Sequence, residues 1–496
     1  MRRIAFLLAA MTLVLFGPTL SAGQADEGPT FTKDVAPILY NNCVTCHRPD
    51  NIAPMALLEY TDARPWARSI KDLVVAREMP PWQADHTNSM KFGNVRYLEQ
   101  HEIDTIAAWV DAGAPKGNDA DMPPKPSFPD GWTYDGGEPD YVFELPVEYT
   151  VAAEGEEPYL DFYTKIPWEE DRFAEVVEIR PGDFRVVHHV NAYMVDLPWG
   201  TQVIDGVLHD LEGNSLTAIR GAPLPQRPDS DPNEEGQPAS AGRVAQSVFN
   251  EVNLPGSDRL LTYVPGHPFE RHPPGTGKRI SPDKWLRWTM HYNPMGVEAT
   301  DRTKIGIWFN TKPVTHEMLT RQAGNAFPTD PFGNDIYIVQ GEEIKPTRDP
   351  ETGRVRRAQI PNIPPYTDDW KITGITPINE PITLYGLSPH MHLRGKSLRW
   401  IVTYPDGREE TLLDVPEFDF NWQIHFELEE PMYLPAGSKI SGIGVYDNSL
   451  GNRWNPGPQL EVYWGQQSWD EMYQAFTEYT VESQDLTKPQ PSTNEE

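Results

Sequence analysis

The chain has 496 residues, long enough for two to four domains with real apolar cores. Its formal charge is −31, from 42 Lys plus Arg against 73 Asp plus Glu, and this excludes nucleic acid and anionic membrane surfaces, since a polyanion is repelled. Fifty prolines, about twice the usual share, argue against a mostly helical chain, because proline lacks the N–H that a helix interior needs.

At the N-terminus, Arg2 and Arg3 precede an apolar run from Ile4 to Phe16, then Gly17-Pro18 and the small residues Ser21, Ala22 and Ala25. This order of charged, apolar and small residues predicts a secretory signal peptide over residues 1–25, cleaved at Ala22 or Ala25. The apolar run is shorter than the roughly 20 residues of a transmembrane helix. No later segment is apolar enough to span, so the expected product is periplasmic or secreted, with no membrane span.

The two cysteines stand in Cys43-Val44-Thr45-Cys46-His47. Placed at random they would show this spacing with a following His on the order of once in ten thousand chains of this composition. C-x-x-C-H is the attachment signal of c-type haem. Cys43 and Cys46 would bond the vinyl groups of one covalent haem, and His47 would offer a nitrogen to its iron. The competing reading is a redox dithiol. Residues 28–118 read as one helical unit, with Ile103, Ile106 and Val110 at helical spacing over Glu102–Ala112 and Gly113 as the stop. The stretch resembles a small class I cytochrome c. In that family a Met-Pro pair supplies the sixth iron ligand, which the resemblance assigns to Met79 of Met79-Pro80, with Met55, Met90 and His86 as rivals.

Residues 119–135 form a Pro- and Asp-rich linker. Beyond it, short strand-like runs such as Phe184–Tyr193, Trp285–Tyr292, Ile382–Leu387, Ser397–Tyr404 and Glu471–Tyr479 alternate with Gly, Pro, Asp and Asn clusters. The expected fold is therefore multidomain. A small all-α cytochrome c domain leads two all-β antiparallel jelly-roll-type sandwiches, over residues 136–318 and 330–482. Residues 221–257 read as an exposed loop and 483–496 as a disordered tail.

The histidines of the second half are unevenly placed. His390 and His392, two apart, project from one face of a strand and can reach one ion. His188 and His189 are adjacent and face opposite ways on a regular strand, so a shared metal needs a bulge or a strand end. Hydrogen-bonded structural histidines are the competing reading. Imidazole sets without cysteine favour copper or zinc, and a thioether ligand would select Cu(I).

Val187-His188-His189-Val190, Thr289-Met290-His291-Tyr292, Ile363-Pro364-Pro365, Leu387-Ser388-Pro389-His390-Met391-His392-Leu393-Arg394-Gly395 and Trp469-Asp470-Glu471-Met472 follow one another in that order. With them, residues 140–480 resemble the copper type II, ascorbate-dependent monooxygenases, the family of dopamine beta-monooxygenase and peptidylglycine alpha-hydroxylating monooxygenase. The resemblance implies two coppers, an electron-transfer copper on His188, His189 and His291 and an oxygen-activating copper on the catalytic set His390, His392 and Met472. It implies hydroxylation of a C–H bond of a small organic substrate with O2, with ascorbate or a redox protein as external electron donor and the haem as relay. A non-enzymatic haem and copper electron-transfer or copper-binding protein is the alternative. Two departures stand out. Ser388, Gln474 and Phe476 occupy the positions with which the peptide-amidating members grip a carboxylate, and the disulfides of animal members have no counterpart once both cysteines hold haem.

Overall fold

The computed structural model describes residues 28–155, 158–198, 200–216, 258–323, 336–344, 347–348, 355–356, 360–465 and 468–488. The signal peptide, the 221–257 loop and residues 489–496 lie outside the described residues.

The N-terminal residues do not build the expected small all-α cytochrome c domain. Four short helices, α1 (Ala36–Asn42), α2 (Tyr60–Ala63), α3 (Ala67–Val75) and α4 (Gln100–Asp111), sit in a chain that is otherwise predominantly β. The longest, α4, starts on a capping box between Glu99 and Glu102, buries Ile103, Ile106 and Trp109, and ends at Gly113 with φ +88°. Between α3 and α4 the run Met79-Pro80-Pro81 removes two backbone donors. The following residues lie across a β-sheet. Phe92 bridges Leu428, Met90 donates its N–H to the Leu412 carbonyl, Ala84 and Phe92 are buried in the core of that sheet's domain, and the half-buried Trp82 packs against it. Apolar residues that a self-contained helical domain would keep for itself are spent on the neighbouring β core.

Two pairs of sheets follow. In the first pair a six-stranded sheet carries, in order, Tyr141–Glu144, Lys304–Phe309, Arg172–Arg180, Thr276–Ile280 and His316–Glu317, with Phe269–Arg271 beside Arg172–Arg180. It faces a four-stranded sheet of Tyr159–Lys165, Trp285–Tyr292, Val187–Val195 and Asp258–Tyr263, and the shared core is centred on the fully buried Trp288. Thr276–Ile280 pairs His316–Glu317 in parallel, so the sheets are not wholly antiparallel.

The second pair joins Leu319–Ala323, Gln474–Val481, Ile382–His390 and Phe426–Leu434 to a six-stranded sheet that includes Trp370–Pro377, Lys439–Tyr446 and Gly395–Thr403, around Trp400. Trp370–Pro377 alternates buried and less buried side chains, the period-2 signature of a strand covered on one face. The chain passes from the first pair to the second directly, from Glu317 to Leu319. Leu486 donates its N–H back to Thr315, so residues to 488 are packed rather than loose.

The two pairs meet through buried charge. Lys278 of the first lies 3.5 Å from Glu478 of the second, and His425 lies 3.4 Å from the same carboxylate. Arg259 faces Glu270 at 3.8 Å and reaches Ser388 at 3.4 Å. Removing one partner of such a pair strands a charge away from water, which costs about 3–5 kcal/mol. Lys278→Met should therefore lower the unfolding free energy from urea titration by that order, while Lys278→Met with Glu478→Leu should recover part of the loss. Equal losses in the single and double variants would refute a charge-based interface.

Candidate metal centres

The first centre depends on a break in strand register. His291 pairs His189 across Trp285–Tyr292 and Val187–Val195, but the next residue, Tyr292, pairs Val187. His188 is the extra residue of this bulge and is freed from the alternation that would turn it away from His189. His188, His189 and His291 thus converge, each with a ligand nitrogen within 4.8 Å of the others. The Nδ1 atoms of His188 and His291 lie 3.1 and 3.2 Å from that of His189. His189 and His291 are buried, and His188 is half-buried at the cavity side. Burial, with the neighbouring imidazoles, holds His189 well below the ordinary histidine range. Three imidazole nitrogens gathered this closely fit a bound cation, which would satisfy all three together.

The second centre lies where Ile382–His390 ends beside Gln474–Val481. His390 Nε2 is 3.2 Å from Met472 Sδ, and the His390 and His392 rings are 5.2 Å apart at 85°. His390 Nδ1 is taken by Gln423 Oε1, and His392 Nδ1 lies 3.2 Å from the Asp470 carbonyl. Acceptors at both Nδ1 atoms select the Nδ1–H tautomer and leave each Nε2 lone pair for an ion. Burial holds His390 down to about 4, so it is neutral in ordinary buffers. Behind the ligands, Glu471 accepts the backbone N–H groups of His392, Arg394 and Met472. One buried carboxyl thus ties both halves of the centre. Burial pushes Glu471 up to about 8, opposed by those three donors and by Arg394.

The two centres face each other across a cavity of about 870 Å³. Phe420 stands between them, its ring 6.3 Å from that of His188, 6.2 Å from His291 and 5.8 Å from His392.

The C-x-x-C-H segment forms a turn at the end of α1, with His47 N–H on the Cys43 carbonyl. The two cysteines form no disulfide, and burial pushes the Cys43 thiol up to about 12. His47 Nδ1 lies 3.2 Å from the Met55 carbonyl, which orients its Nε2 outward as an axial ligand requires. Met79 is half-buried beyond α3, its N–H on the Leu73 carbonyl. Met90 packs on the second β core, and His86 stacks near Tyr97.

Sequence reasoning missed Gln423, Glu471 and Phe420. Gln423 and Phe420 are far from the ligands in sequence, and Glu471 had only its place beside Met472 as a signal. His425 supports rather than lines the second centre, through a 2.7 Å contact to Ser388.

No family model matches this chain, and no curated protein matches it. Among solved structures it is similar to one described as "Structure of PNGF-II in P21 space group", at 12% identity and a TM-score of 0.20, over 70% of this chain. The chain spans 62% of that structure's length, and a likeness at that score transfers neither fold nor activity.

Because His189 and His390 sit below the ordinary imidazole value, unfolding takes up protons that the folded state refuses. Their stabilisation is complete above about pH 6.5 and is lost as pH falls, for His390 toward about 4. The urea midpoint of the metal-free protein should drop between about pH 7 and about pH 5, and His390→Gln should shrink that drop. An unchanged pH slope in the variant would show that His390 is protonated when folded.

Proposed function

We propose that this chain is a copper-dependent monooxygenase that hydroxylates a C–H bond of a small organic substrate with O2, exported from the cytoplasm and carrying one c-type haem as an electron relay. The observation that carries the reading is the pair of unlike ligand sets, three imidazoles and two imidazoles with a thioether, opening on one cavity. The resemblance to the copper type II monooxygenases over residues 140–480 supports the same ligands. No described helix is long and apolar enough to cross a membrane.

His188, His189 and His291 would hold one copper, and His390, His392 and Met472 the other. Bound copper would supply one electron at each centre and, at the three-ligand thioether centre, an open position for O2. The chain's own residues do the positioning. Gln423 and the Asp470 carbonyl set the tautomers, Glu471 fixes the backbone of both ligand segments, and Phe420 stands between the two ligand sets on the cavity wall. Cys43, Cys46 and His47 would hold the haem.

The reconstituted protein should contain two coppers and one haem per chain and should consume O2 with a member of a panel of phenolic, amine, peptide and alkyl compounds. Met472→Ile should keep the circular dichroism of the parent and lose that uptake, because it removes the thioether and little volume. Parent-level uptake by Met472→Ile would overturn the assignment, and two coppers without any substrate-linked uptake would identify a carrier instead.

A further inference from the structure

We propose that the substrate of this centre carries a carboxylate, held by Arg287 and Arg259 in a pocket that opens beside Met472. The proposal deepens the monooxygenase reading and rests on it for the word substrate.

A second cavity, of about 50 Å³, lies between the two pairs of sheets and is walled by Arg259 and Arg287 from the first and by His390, Met472 and Gln474 from the second. It shares Tyr159 and His390 with the large cavity, so the two adjoin at those side chains. Its volume exceeds the ~10–15 Å³ that a single water needs by the same measure, and suits a planar head group.

Both guanidinium groups are buried and under-used. Arg287 and Arg259 are 4% and 3% exposed. The Nε of Arg287 and the Nε and Nη2 of Arg259 have no hydrogen-bond partner. Buried donors of charged groups are expensive to leave unpaired, and a guanidinium edge matches the two oxygens of a carboxylate. The charges around them are accounted for. Asp161 lines the pocket, accepts the Thr289 hydroxyl at 2.6 Å and attracts the Arg287 guanidinium without occupying its Nε, and Glu270 lies behind Arg259 at 3.8 Å, outside the lining. Tyr193 lies under the Arg287 guanidinium at 4.7 Å, and Phe476 under that of Arg259 at 5.7 Å. Aromatic faces fix the two forks without consuming their N–H groups.

The other end of the molecule is constrained as well. Phe418, Phe420, Trp454 and Trp469 line the large cavity, which suits an aryl or other apolar body. A carboxylate at Arg287 and a body among these rings would place the intervening carbon alongside His390 and Met472. Arg259 reaches across the junction, where its Nη1 lies 3.4 Å from the Ser388 hydroxyl on the strand that carries His390.

The test uses the haem-loaded, copper-free protein, so that it does not depend on the copper reading. Phenylacetate, phenylacetamide and phenethylamine are titrated by calorimetry. The parent should bind phenylacetate at least tenfold more tightly than the other two, and Arg287→Gln should erase that preference while leaving phenylacetamide unchanged. Arg287→Lys, which keeps the charge but not the fork, should fall between. Equal binding of acid and amide by the parent, tighter binding of the amine, no binding of phenylacetate, or a preference that survives in both Arg287→Gln and Arg259→Gln would each overturn the proposal. The parent titration stands whether or not the variants fold. Copper stoichiometry, measured separately, reports on the underlying reading.

Discussion

The arrangement of this molecule depends on a set of buried charges where the two pairs of β-sheets meet. Lys278 and Arg259 come from the first pair, Glu478, His425 and Ser388 from the second, and Glu270 completes the set. Coulomb attraction away from water is strong but demands good geometry, so such a set tolerates one relative placement of the two pairs and penalises slippage. That placement is what brings Phe420 of the second pair against His188 and His291 of the first. Without it there would be two separate imidazole sets and no shared cavity.

The N-terminal residues reinforce the same junction. Residues from Trp82 to Asn94 are laid along the second pair, where Asn94 donates to the His425 carbonyl and Gly93 to that of Glu427. Arg96 donates to the Gly266 carbonyl of the first pair, and the Cys46 sulfur lies against that same glycine, whose φ of +82° disfavours any side chain. Gly266 precedes His267, whose ring is 6.1 Å from that of His425. The C-x-x-C-H turn therefore touches the first β unit through Cys46, while Cys43 and Val44 pack in a core of the N-terminal residues' own, with Leu39, Leu57 and Ile106.

Within each metal centre a local irregularity does the positioning. A regular strand would send His188 and His189 to opposite faces; the skipped residue between the pairs His291 with His189 and Tyr292 with Val187 removes that constraint. In the second centre the two ligand segments are separated by some eighty residues and are joined by one buried carboxyl, Glu471, which accepts from both. Both devices act on backbone, which gives side chains of modest rigidity a fixed starting point.

Local chemistry was legible in the chain before folding. Cysteine spacing and an adjacent histidine mark Cys43 to His47, and periodicity locates strands such as Trp285–Tyr292 and the helix through Ile103 and Ile106, because these signals are carried by neighbouring residues. The spacing of His390 and His392 suggested a common ion for the same reason. Long-range packing decided the rest. Periodicity cannot report that Trp82 and Phe92 belong to another domain's core, so the helical reading of residues 28–118 overreached. Nor can it report which residue of Val187–Val195 is skipped in pairing, or that Arg259 and Arg287, remote from Met472 in sequence, line a pocket beside it. Those facts exist only where two sheets are pressed together, since burial and register are properties of pairs of segments and not of either alone.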